Sequence, residues 1–225
     1  MSEPSPEAVP AATDYAAFGQ ESIQMLTDRA SSKDTSIKWS LVKQYDGIDI
    51  SRGVVEGNDW NAIKAVGIVR CAARFLADWL TDPNEMKLFD NNTDICDVLD
   101  DVDDHTKVLR VRAKAVFPTT ARDFVVVTAI GHLADKSTIV IASRSVEHAH
   151  APIDPSYVRA TTYLSGYLLR PTSPSSCEVT MLVHMNLGGS LPSFIINMLA
   201  VDAPIHLLGK LRTLYAEVEH DIDED

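Results

Sequence analysis

The stretch Val179–Glu217, VTMLVHMNLGGSLPSFIINMLAVDAPIHLLGKLRTLYAE, decides the fold. Val179 to Leu187 is a run of strand formers. The Gly188-Gly189 turn and Ser190 follow, and then a long apolar helix pattern from Leu191 to about Glu217. Ser190 suits the N-cap, where its hydroxyl accepts from a free backbone N–H, and Pro192 suits the first turn. Leu191, Ile195, Met198, Leu199 and Asp202 trace one face; Phe194, Ile196, Val201, Ile205, Leu208, Leu211 and Tyr215 widen it past a normal surface stripe. Such a helix would reach roughly 40 Å if straight. Pro204 predicts a kink near Val201 or Asp202. A strand that turns through glycines into a largely apolar terminal helix implies a helix held by a curved sheet, and so a container for an apolar ligand.

Size and charge bound the rest. At 225 residues the chain can bury one sizeable core, and nothing demands a second. A net charge of −12 argues against nucleic acid as the main partner and against a membrane held by bulk electrostatics. The acid gathers between Asp82 and Asp104 and again from Glu217 to Asp225. Both read as solvated faces or ends, because neither follows the spacing of a calcium loop. Cys71, Cys96 and Cys177 are odd in number and far apart, with no CxxC, no secretory signal and no apolar run read as long enough to span a bilayer. The expectation is a soluble cytoplasmic protein whose buried thiols act as small hydrophobes.

Residues 1–14 are poor in anything to bury and read as a disordered tail, 15–217 as one domain, and 218–225 as an acidic tail. Tyr15 to Ala30 has helical spacing. Strand candidates follow at Ile37–Tyr45, Ile48–Val55 and Ala62–Val69, the first two joined by the Asp46-Gly47 hairpin signal. Short helices are expected at Cys71–Leu80 and Asn84–Leu88. Six more strands are expected at Ile95–Val102, Lys107–Phe117, Asp123–Leu133, Ser137–Val146, Tyr157–Arg170 and Val179–Leu187. The class is α+β: a curved antiparallel sheet of about nine strands wrapped round one long C-terminal helix.

Several passages, in order, resemble one family. Arg122-Asp123-Phe124-Val125 resembles the RDF motif of the START family, the steroidogenic-acute-regulatory-related lipid transfer domains. So do Val158-Arg159-Ala160, Leu168 to Pro171, and the run Asn186-Leu187-Gly188-Gly189, Leu191-Pro192, Ile195-Ile196-Asn197. The resemblance covers about Ile37 to Tyr215 and implies a helix-grip fold. It implies one hydrophobic lipid (sterol, phospholipid or isoprenoid) held in an internal cavity and transferred or sensed between membranes. It further implies a mouth made by the Pro118–Ala121 loop, with Pro118, Thr119 and Thr120, and the helix start at Leu191 and Pro192. Two positions depart from the family. Asn186 stands where an aspartate is usual, and Thr128 where the sterol-binding branch often carries an arginine. Arg110 and Arg112, on one face of the preceding strand, are the alternative cavity charge.

Period two puts Leu182, His184 and Asn186 on one face, and Phe124, Val126, Thr128 and Ile130 on another. Turned inward, with Arg112, Ile195 and Leu199, they would form an apolar wall with sparse polar groups, the usual make-up of a ligand cavity. Arg122 and Asp123, at a strand start, read as groups that tie the neighbouring loop down.

Catalytic furniture is sparse. His148 and His150 form H-x-H without a partner at metal-site spacing. Ser143 and Ser145 sit on a strand and not in a nucleophile elbow, and Gly188-Gly189 is a turn and not a phosphate cradle. No catalytic residue, metal or cofactor is expected. The partners expected are a lipid and, transiently, a membrane, for a monomeric chain. The alternatives are a cyclase-like enzyme on the same scaffold, or a lipid-sensing module without transfer.

Overall fold

Asp14 accepts from the Ala17 N–H and so opens α1, Tyr15–Ala30. The computed structural model describes residues 14–31 and 33–222. The expected tail at 1–14 therefore lies outside the described residues, apart from Asp14.

Among the described residues ten strands form one open sheet. They are β1 Ile37–Tyr45, β2 Ile48–Val55, β3 Ala62–Val69, β4 Thr93–Asp103, β5 Thr106–Ala113, β6 Arg122–His132, β7 Ile139–Ser145, β8 Val158–Arg159, β9 Thr161–Ser173 and β10 Ser176–Asn186. Their order is β1-β2-β3-β10-β9-β7-β6-β5-β4, with β8 paired parallel to β6 and every other pair antiparallel. The single strand expected over Tyr157–Arg170 is thus two: β8 joins β6, and after Ala160 the chain crosses to lie between β7 and β10. The expected strand over Lys107–Phe117 ends at Ala113, where the Lys114 N–H turns to the Asn92 carbonyl.

Helices cover both faces. α1 lies on the outer face, burying Ile23 and Leu26 with Ala129, Val140, Leu164 and Leu182. It comes close because Gly19 has no Cβ; one added there would meet Ala129 Cβ at 2.7 Å. The inner face carries α2 (Ala73–Thr81), α3 (Met86–Phe89) and the C-terminal helices. Leu76 and Leu80 of α2 pack in one core with Ile50, Val179, Leu208 and Leu211.

The C-terminal helix departs from one smooth rod. It starts at Ser193 with Pro192 in the N-cap position and no side-chain cap, so Ser190 is not the cap. Gly188 and Gly189 both take left-handed φ, +64° and +63°, and Leu191 precedes a proline, which disfavours helical backbone. α4 (Ser193–Asn197) runs into a π-helical segment at Met198–Asp202 and then into α5 (Ala203–Ile222). The Ala203 N–H donates to the Met198 carbonyl, five residues back. Pro204 cannot donate, so the turn before it widens at the place where the sequence predicts a kink. α5 runs on to Ile222, through the first residues of the expected acidic tail.

Phe194–Leu214 is long and apolar enough to cross a membrane by length and composition, contrary to the expectation that no such run exists. Here Ile195, Ile205, Leu208 and Leu211 are buried. Arg212 fixes α5 to the sheet, donating from Nε to Ile68 O at 2.8 Å and from Nη1 to Asp46 O at 2.6 Å.

Candidate functional site

A cavity of about 330 Å³ lies between the inner face of the sheet and the C-terminal helices. Its sheet wall is Leu109, Val111 and Ala113 of β5, Phe124, Val126 and Thr128 of β6, Ser143 of β7, Ser165 of β9, and Met181, Val183 and Met185 of β10. Its roof is Leu191, Ile195, Leu199 and Leu207. A second hollow of about 420 Å³ shares Ile63, Val183, Met185, Leu187 and Leu199 with it and runs on to Arg52, Trp60 and Asn197. The rim of the first is Asp90, Asn92, Lys114, Val116 and Thr119. Phe117, at the tip of the rim loop, is 92% exposed, and Phe194 on α4 is 60% exposed.

Of the residues expected in the wall, Phe124, Val126, Thr128, Ile195 and Leu199 line the cavity, as do Thr119 and Leu191 of the expected gate. Five others stand elsewhere. Ile130 shares the inner face but packs into the core under α2 and α5. Leu182 is fully buried on the outer face, against α1. His184 is on that outer face too: Arg29 Nη1 lies 3.0 Å from its Nδ1, and its Nε2 lies 3.0 Å from the Trp60 carbonyl. With a guanidinium facing Nδ1, the ring accepts there and donates from Nε2–H. Burial, and then Arg29, push the imidazole down to about 4, so it is neutral. Asn186 accepts from the Gly188 N–H through Oδ1 and braces the turn. Arg112 pairs with Asp97 on the outer face, and Arg110 bonds Asp123 there, so neither supplies a cavity charge.

Pro118, Thr120 and Pro192 of the expected gate are not in the lining. Pro118 and Thr120 sit exposed on the rim loop, and Pro192 precedes α4.

The β10 assignment is inverted by one residue, which reverses every side chain on a strand. The residues missed are Met181, Val183, Met185 and Leu187. β10 is covered on both faces, so hydrophobicity along it does not alternate and gives no sign of which face is inward. On β9 a bulge opposite His184/Met185 leaves Tyr163 and Leu164 off the cavity wall and brings Thr162 and Ser165 onto it.

The RDF passage is a brace. Asp123 is 1% exposed and takes Arg159 at 2.8 Å and 2.9 Å and Arg110 at 3.0 Å. Burial pushes its carboxyl up, but the two guanidinium groups outweigh that and hold it below the usual range. Arg122 lines the cavity edge while donating to the carbonyls of Thr120, Leu187 and Gly188.

His148 bonds Asp100 at 2.8 Å. Among the described residues no group of three or more His, Cys, Asp or Glu is placed to hold a metal. Burial pushes the Cys96 thiol up to about 11 and the Cys177 thiol to about 12, which keeps both from being ready nucleophiles.

The sequence profile of the START domain matches residues 20–203. START domain-containing protein 10 of Homo sapiens is 28% identical over 193 residues, covering 80% of this chain and 64% of that protein. Acetyl-coenzyme A thioesterase of Mus musculus is 28% identical over 157 residues, covering 69% of this chain and 28% of that protein. The chain thus spans less than a third of the thioesterase it matches. Human StAR-related lipid transfer protein 5 shares the fold with a TM-score of 0.82 at 19% identity, covering 91% of this chain and 98% of that one. Human STARD10 gives 0.76 at 22% identity, covering 96% and 86%. These structural likenesses speak for the fold; the profile match, over most of the length, makes this chain a member of the START domain family.

Proposed function

We propose that the chain binds one hydrophobic lipid in the cavity under its C-terminal helices and carries it between membranes. The single observation behind this reading is the largely apolar cavity closed by a helix that is broken at Met198–Asp202. A lipid in such a cavity leaves one apolar medium for another, so little net free energy separates the two states. Exchange is then governed by opening. α5 is tied to the sheet by Arg212, whereas α4 rests on apolar contacts, so the π-helical segment is the natural place to bend. Phe117, exposed on the rim loop, and Phe194, exposed on α4, suit transient insertion at a bilayer surface. Family membership and the lipid-transfer names of its structural neighbours support the reading. A monomer acting in a reducing, cytoplasmic setting fits it.

The thioesterase likeness raises acyl transfer as a second reading. Among the described lining residues there is no histidine or cysteine, and Ser143 is bonded to the Thr128 hydroxyl and not to a base. That favours binding without bond chemistry.

The test is donor-to-acceptor liposome transfer with a reversible disulfide joining the 118–121 loop to the Leu191–Leu199 segment. Transfer that stops on oxidation and returns on reduction supports a carrier with this gate. Binding without any transfer makes the chain a sensor. Acyl-CoA hydrolysis would replace the reading.

A further inference from the structure

Thr128, Ser143 and Ser165 form one row across three neighbouring strands. Thr128 is the register partner of Ser143, and Ser143 of Ser165. All three line the cavity, and the row continues into apolar Val183 and Ile63. Thr128 Oγ1 lies 2.8 Å from Ser143 Oγ, so each hydroxyl uses only part of its capacity. Ser165 Oγ has no hydrogen-bond partner at all. A buried hydroxyl without a partner calls for an explanation, and a rotation of χ1 between staggered wells presents it to the cavity.

The charged residues of the lining are engaged elsewhere. Arg122 donates to three backbone carbonyls. Asp90 accepts from the Asn92 N–H and the Thr93 hydroxyl, and Lys114 donates to the Asn91 carbonyl.

We infer that this hydroxyl row is the polar anchor of the ligand. The ligand is then a neutral lipid whose buried end carries one hydroxyl, a sterol-like alcohol or an acylglycerol. No charged side chain stands in this row, so an anionic head group seated there would be desolvated without an ion-pair partner. The inference rests on the lipid-binding reading and specifies its ligand class.

The test pairs each alcohol with its methyl ether: dehydroergosterol and dioleoylglycerol, with dioleoyl phosphatidylcholine as the charged-head control. Binding is followed by tryptophan quenching or by displacement of a fluorescent probe. The native protein should favour at least one alcohol over its ether by about tenfold, the scale of one buried hydrogen bond. Whichever alcohol it is names the source. T128V/S143A/S165A should bind alcohol and ether within about twofold of each other. Ser165→Ala alone, which removes a hydroxyl with no partner and so leaves the fold intact, should lose part of the preference. A preference retained in both variants, or a native protein that binds only the phospholipid, overturns the anchor but leaves lipid binding standing. A native protein that takes up none of these lipids overturns both.

Discussion

Arg122 donates from Nε to the Leu187 carbonyl 3.3 Å away, and this bond joins the rim loop to the turn that leads into the final helix. The same guanidinium holds Thr120 O and Gly188 O. One side chain therefore positions both lips of the mouth.

Arg122→Met keeps the apolar stem and removes the donors. The partly buried carbonyls of Thr120, Leu187 and Gly188 then lose a charged partner, and the expected loss is about 2 to 3 kcal/mol. Hydrogen exchange should quicken across residues 114–121 and 187–192 while β1–β3 stay protected. Exchange rising evenly over the whole sheet would show that Arg122 supports the core and not the mouth.

His184 makes stability depend on pH. Its folded value of about 4 lies below the ordinary imidazole value, so the unfolded chain binds the extra proton first. Its contribution is complete above about pH 6.5 and is lost as pH falls through about 4; one group can supply at most roughly 3 kcal/mol. Urea midpoints from pH 7 to 4 should fall, and His184→Gln should flatten that slope. An unaltered slope would remove His184 from the account.

Two helical glycines should respond in opposite ways to alanine. Helix propensity favours Ala over Gly by about 1 kcal/mol. At Gly209 in α5 an added Cβ meets nothing within 4 Å, so Gly209→Ala should stabilise by roughly that amount. At Gly19 the Cβ meets Ala129 at 2.7 Å, and crowding of about 1 to 3 kcal/mol should outweigh the propensity gain. Denaturation of the two variants side by side checks the close approach of α1 to β6.

The sequence carried the fold further than it carried the site. α1 and β1–β3 have the bounds that spacing and the Asp46-Gly47 turn predict, because α1 keeps helical spacing and β1 and β2 meet at that turn. Phe124, Val126 and Thr128 could be assigned because β6 begins at the RDF passage, which sets its phase. β10 could not: Leu182 and Val183 are equally apolar because one packs under α1 and the other faces the cavity. The bulge that brings Thr162 and Ser165 together on the wall is a pairing event between strands and leaves no local signal. Arg112 and His184 looked like cavity groups because polar residues in apolar runs invite that reading. Asp97 and Arg29, their actual partners, lie far from them in sequence.

Native mass spectrometry of the chain purified from cells, beside a variant with the cavity filled by Val126→Trp, shows whether a lipid occupies the cavity. One lipid-sized adduct per chain is expected on the native protein, identified after extraction as a neutral lipid, and none on a folded Val126→Trp. The same adduct at the same occupancy on both proteins would contradict it, because the ligand would then lie outside the cavity.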